Sequence, residues 1–134
     1  MMGYERCLKD ITKEELRVNL PILRAFAGWS SEDMAQLLGI TRQTFIKIEN
    51  HPDYMSTLQF LAIKAVLYGE IEYGPNPVLG MAVMVLKGDN DTQRAEFIKD
   101  VNAIKKRLGH VAGCYELKRQ LNEWVLGTRY GTHF

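Results

Sequence analysis

From Ile11 to Leu67 apolar residues recur every three or four positions, the spacing that lines one side of an α-helix. Thr12 lies three residues ahead of Glu15, as in a capping box, and Leu16 and Leu20 follow one turn apart. Pro21 lacks the N–H that a helix interior uses, so a fresh start is expected there, capped by Asn19. Leu20, Leu23, Phe26 and Ala27 then share a face up to Gly28, a residue suited to ending a helix. The next start is Trp29-Ser30-Ser31-Glu32-Asp33, with a serine to cap and acids in the first turn. Met34, Ala35, Leu37 and Leu38 face inward from it, and Gly39 stops it. Thr41 caps a helix in which Phe45, Ile46 and Ile48 lead to Asn50, and His51-Pro52-Asp53-Tyr54 is a loop. Ser56 or Thr57 then opens a helix carrying Leu58, Leu61, Ile63, Ala65 and Leu67 towards Tyr68.

After Gly69 the texture changes. Tyr73-Gly74-Pro75-Asn76-Pro77 is the clearest break in the chain. The apolar run Val78–Leu86 is too short for periodicity to separate helix from strand, although Asn76-Pro77 suits a cap followed by a first helical residue. Gly88-Asp89-Asn90-Asp91 breaks the chain again, and Thr92–Leu108 is amphipathic through Phe97, Val101, Ile104 and Leu108. Gly109–Gly113 interrupts it. Cys114–Leu126 forms the last helix, with Leu117, Leu121 and Trp124 along one stripe, before a loose tail over Gly127–Phe134. The expected architecture is all-α: a bundle over 10–70, a linker over 71–91 with a short apolar helix or strand, and a helical hairpin over 92–127.

Composition adds mainly exclusions. With 134 residues, 46% hydrophobic and 25% charged, the chain has the proportions of an ordinary globular protein. Cys7 and Cys114 belong to no CxxC pair, and His51, His110 and His133 are scattered, so no metal site and no disulfide framework are expected. No Ser-His-Asp or Cys-His arrangement and no Gly-rich phosphate loop can be assembled, so neither an enzyme nor a cofactor is expected. The start, Met1 to Arg6, has no secretory core, and no apolar run approaches the ~20 residues needed to span a bilayer. A cytoplasmic protein without membrane contact is the expectation.

Charge argues against nucleic acid. The 17 basic and 16 acidic side chains nearly cancel, whereas a protein that holds DNA by bulk charge is usually basic. One motif argues the other way. Ser31–Leu38 and Thr41–Asn50, joined at Leu38-Gly39-Ile40, have the lengths of a helix-turn-helix pair. Ala35 is small where the helices would cross, Gly39 can take the positive φ of a tight turn, and Ile40 and Ile46 are expected to fill the wedge.

These residues carry a resemblance. The stretch Leu20–Leu67 resembles the helix-turn-helix domain of Cro- and phage-repressor-like regulators, the xenobiotic-response-element family. The matching residues are Leu20, Leu23-Arg24, Gly28-Trp29-Ser30, Glu32-Asp33-Met34-Ala35 and Leu38-Gly39-Ile40-Thr41-Arg42-Gln43-Thr44, then Ile48-Glu49-Asn50 and Phe60-Leu61-Ala62-Ile63. The resemblance implies an N-terminal lambda-repressor-like helix-turn-helix bundle followed by a C-terminal helical extension. It implies a transcriptional regulator, a bacterial or phage repressor, that binds a double-stranded DNA operator as a homodimer with helix 41–50 in the major groove.

The family's base-contact positions fall on Arg42, Gln43, Thr44 and Lys47. Arginine can fork onto guanine O6 and N7, and glutamine onto adenine N6 and N7. Ser31 and Thr41, at helix N-termini, and His51 in the following loop are the phosphate-contact candidates, with Ser31 standing where the family often has glutamine. Glu49 is expected to pair with Arg24, and Trp29 to pack. Two half-sites about one helical turn apart call for two copies, and Leu117, Leu121 and Trp124 are the expected dimer interface. The alternative is an antitoxin-like or protein-interaction module with weak or lost DNA binding. Residues 1–70 hold 8 basic and 9 acidic side chains. A DNA face there must therefore concentrate its charge on Arg42 and Lys47, clear of Glu32, Asp33 and Asp53.

Overall fold

A computed structural model describes residues 3–109 and 113–128, and every element among them is an α-helix. In chain order these are α1 (Tyr4–Asp10), α2 (Lys13–Ala27), α3 (Ser31–Leu38), α4 (Arg42–Asn50), α5 (Thr57–Tyr73), α6 (Pro77–Lys87), α7 (Asp91–Leu108) and α8 (Cys114–Leu126). Among the described residues no helix is long and apolar enough to cross a membrane. Residues 110–112, part of the expected Gly109–Gly113 interruption, and 129–134 of the expected tail lie outside the described residues, as do His110 and His133.

Polar caps start most of these helices. Thr12 and Glu15 form the expected capping box, and Ser30 with Asp33 and Ser56 with Gln59 form two more. Asn76 and Asn90 cap α6 and α7 through their side chains. Gly28 and Gly39 end α2 and α3 at φ of 78° and 70°, the left-handed region that a Cβ disfavours.

Pro21 does not restart the chain. α2 runs unbroken from Lys13 to Ala27, and Asn19, expected as a cap, donates its Nδ2 to the Glu15 carbonyl instead (2.9 Å). The proline removes one helical N–H, but Leu16, Leu20, Ile22, Leu23 and Phe26 are buried on both sides of it and hold the segment helical. Burial also carries α5 past Gly69 to Tyr73, because Leu67 and Ile71 lie under one face.

The segment 71–91 is more than a connector. It contains α6, buried at Val78, Leu79, Gly80, Met81, Ala82, Val83 and Leu86, and α6 touches α1, α2, α5, α7 and α8. Asn76 fixes its entry: Oδ1 accepts from the Leu79 N–H (3.1 Å), and Nδ2 donates to the Phe26 carbonyl (3.1 Å). The other unanticipated element is α1, which buries Cys7 and Leu8 against α5 and α6.

The C-terminal stripe is a correction. α8 packs on α2, where Leu121 and Val125 are fully buried, so Leu121 has no surface to offer a second copy. Trp124 lies 5.6 Å from the Phe97 ring, which in turn stacks on Phe26 at 5.7 Å, and Leu117 is half-buried against the same core. The apolar side of α8 thus closes the chain's own core.

Candidate nucleic-acid interface

Three residues, Gly39-Ile40-Thr41, join α3 to α4. The Gly39 N–H reaches the Gln36 carbonyl and the Ile40 N–H reaches Ala35, which closes α3 and turns the chain at once. Met34 and Ala35 of α3 and Phe45 and Ile48 of α4 are buried where the helices meet. Ile40 packs against this core. Ile46 does not fill the wedge as expected: at about 100° per residue it falls beside Arg42 and Gln43, and it is only half-buried.

The side of α4 turned to solvent carries Arg42, Gln43, Lys47 and Asn50. Asn50 was missed in the sequence, although the spacing 43, 47, 50 is that of one helical face. Thr44 stands apart from this set, half-buried, with its hydroxyl oxygen accepting from Thr41 Oγ1 at 2.9 Å. Thr41 also accepts from the Thr44 N–H (3.1 Å), so both hydroxyls are engaged in the cap. Replacing Thr41 by alanine should cost about 1 kcal/mol, read as a lower midpoint in urea unfolding. Ser31 is the first residue of α3, half-buried, and Ser30 does the capping (Asp33 N–H to Oγ, 3.0 Å).

Charge on α4 is sorted by a buried ion pair. Glu49, the helix's one acid, receives Arg24 Nε at 2.8 Å and Nη2 at 2.9 Å, confirming the expected partner. Their side chains are 9% and 17% exposed. Arg24 Nη1 donates to the Trp29 carbonyl (3.1 Å), and its guanidinium lies 5.6 Å from the Phe45 ring centre. Arg17 Nη1 donates to the Glu49 carbonyl (3.2 Å), so α2 grips the end of α4 twice. Burial pushes the Lys105 ammonium of α7 below the usual lysine range, the charge on Arg24 lowers it further, and Glu49 partly offsets both. The outward side of α4 is left with two cations, two amides and no carboxylate.

Beyond α4 the loop adds His51 and Tyr54, both exposed, with ring centres 5.4 Å apart. Lys47 Nζ lies 5.9 Å from the Tyr54 ring centre, so His51, Tyr54 and Lys47 form one group at the end of the helix. Asp53 is exposed in the same loop. Of the expected contact residues, then, Arg42, Gln43 and Lys47 share a side with His51 adjoining, while Ser31 and Thr41 lie at the two helix starts. Compared with protein-family models, curated proteins and solved structures, the chain matches none.

Proposed function

We propose that the chain is a sequence-specific DNA-binding regulator of transcription that places α4 in the major groove of an operator. The supporting observation is the sorting of charge on α4. Arg42, Gln43, Lys47 and Asn50 face solvent while Glu49 is drawn inward by Arg24. Arginine, glutamine and asparagine are the side chains that read guanine and adenine edges through paired hydrogen bonds. A nine-residue helix is about 14 Å long, and the groove is about 12 Å wide. The first turn of α4 has no acid, so its backbone N–H groups remain suited to a phosphate.

The resemblance over Leu20–Leu67 supports reading this regulator as a member of the xenobiotic-response-element family with a lambda-repressor-like bundle, working in the cytoplasm as a homodimer. Few cations are available, so non-specific affinity is weak and its salt dependence shallow, leaving discrimination to base contacts.

Selection from a random DNA pool followed by binding titrations at several salt concentrations tests this. The wild type should enrich one sequence. The double variant Arg42→Ala/Gln43→Ala should lose the preference, at about 1–3 kcal/mol per paired contact, with its thermal melt unchanged because both side chains are exposed. No enriched sequence, or enrichment unaltered by the double variant, would sink the reading. The near-neutral charge of residues 1–70 favours the second reading, an antitoxin-like interaction module with weak or lost DNA binding, which expects no enriched sequence.

A further inference from the structure

α5 is apolar on both sides but covered on one. Ile63, Leu67 and Ile71 are buried under α1, α3 and α6. Opposite them Leu58 is 77% exposed, Leu61 53% and Tyr68 37%, with Ala65 exposed between. Residues 58, 61, 65, 68 and 72 fall within about 80° of one another around the helix. Their three-and-four spacing is that of a helix seam. A helix hydrophobic all round belongs in an interior.

We propose that two copies of this chain pair along this stripe, α5 against α5, antiparallel about a two-fold axis. The stripe can meet its own copy because it carries no charged side chain from Leu58 to Tyr68, so no like charges are opposed. Lys64, at its edge, is drawn back onto its own chain: Nζ donates to the Lys9 carbonyl (3.3 Å) and lies 4.7 Å from the Phe60 ring centre. The antiparallel sense follows from charge and size. The first turn of α5 has no acid, and Glu72 ends the stripe, so antiparallel pairing brings each Glu72 to the positive N-terminal end of the other helix. Parallel pairing would set Glu72 against Glu72. Running opposite ways with Glu72 at the start of the other helix also centres the pair near the small Ala65 and lays Leu61 of one copy over the small Gly69 of the other. A 17-residue helix gives about 25 Å of contact length.

The pairing deepens the regulator reading, on which it rests only for its purpose of presenting two α4 helices to two half-sites. It is measured without DNA. In sedimentation equilibrium over a wide range of protein concentration, the wild type should reach twice the chain mass of 15.4 kDa. Leu61→Glu, which puts a carboxylate into the apolar seam against the other helix, should remain at one chain mass, and Glu72→Lys should dissociate at least ~10-fold more readily. Because Leu61 is exposed, the far-ultraviolet spectrum of its variant should stay that of the wild type. A wild type of single mass throughout, or a Leu61→Glu variant that pairs like the wild type, overturns the proposal. Leu61-dependent pairing with no selection of DNA sequence supports it while overturning the regulator reading. Arg42-dependent selection by a protein that never pairs does the reverse.

Discussion

Replacing Glu49 by alanine is expected to destabilise the fold by about 3–5 kcal/mol, because it strands a buried guanidinium. Arg24 has its partner carboxylate at 2.8 and 2.9 Å and one further acceptor, the Trp29 carbonyl; with Glu49 gone only that acceptor is left to it. Against a total stability of about 5–15 kcal/mol for a domain this size, the loss should lower the melting temperature by roughly 10–20 °C. Calorimetry or a circular-dichroism melt measures it. The companion variant Arg24→Met/Glu49→Leu, which removes both charges and keeps volume, should recover most of the loss, since the cost lies in the unpaired charge. A Glu49→Ala protein melting within about 0.5 kcal/mol of the wild type would show that the pair does not hold α4 in place.

Leu121→Asp should unfold the protein. The side chain is 0% exposed among α2 and α8 core residues, and the loss of a buried leucine alone costs about 2–5 kcal/mol. A carboxylate in its place adds several kcal/mol of desolvation, so the sum approaches the whole stability of the domain. The far-ultraviolet spectrum should collapse at every protein concentration. A surface interface residue behaves differently: the folded chain survives and only association is lost, as expected for Leu61→Glu. A folded Leu121→Asp monomer with a native melt would return Leu121 to the interface that its sequence position first suggested.

What the sequence made legible was local. Caps are local chemistry, so Thr12 with Glu15, Thr41, Ser56 and Asn76 marked their helices at or near the right residue. The pairing of Glu49 with Arg24 was legible too, because Glu49 is a lone acid on a helix whose other charges are cationic. Tertiary packing decided the rest. Pro21 and Gly69 look like stops when weighed alone, yet each is flanked by side chains whose burial outweighs the local penalty of about 1–3 kcal/mol. Likewise, a stripe of Leu117, Leu121 and Trp124 reads the same whether it meets a second copy or its own chain. Only the position of α2 decides between them, and that position depends on α6. The exposed seam of α5 was hidden for the opposite reason: Leu58, Leu61 and Ala65 looked like ordinary core residues until Ile63 and Leu67 were found to fill that role.

The enclosure of α6 has a consequence in time. α2 grips α4 through Arg17 and Arg24, and the same α2 takes its other support from α6 and α8, which are made later. At the usual ~5–20 residues per second of synthesis, the interval between the end of α4 and the end of α8 is roughly 4–15 s. Throughout it, Arg42 and Gln43 already exist as side chains on a growing chain whose α2 still awaits a complete α8. The surface proposed to read an operator is therefore written early, while the helix that grips it still waits for part of its own support.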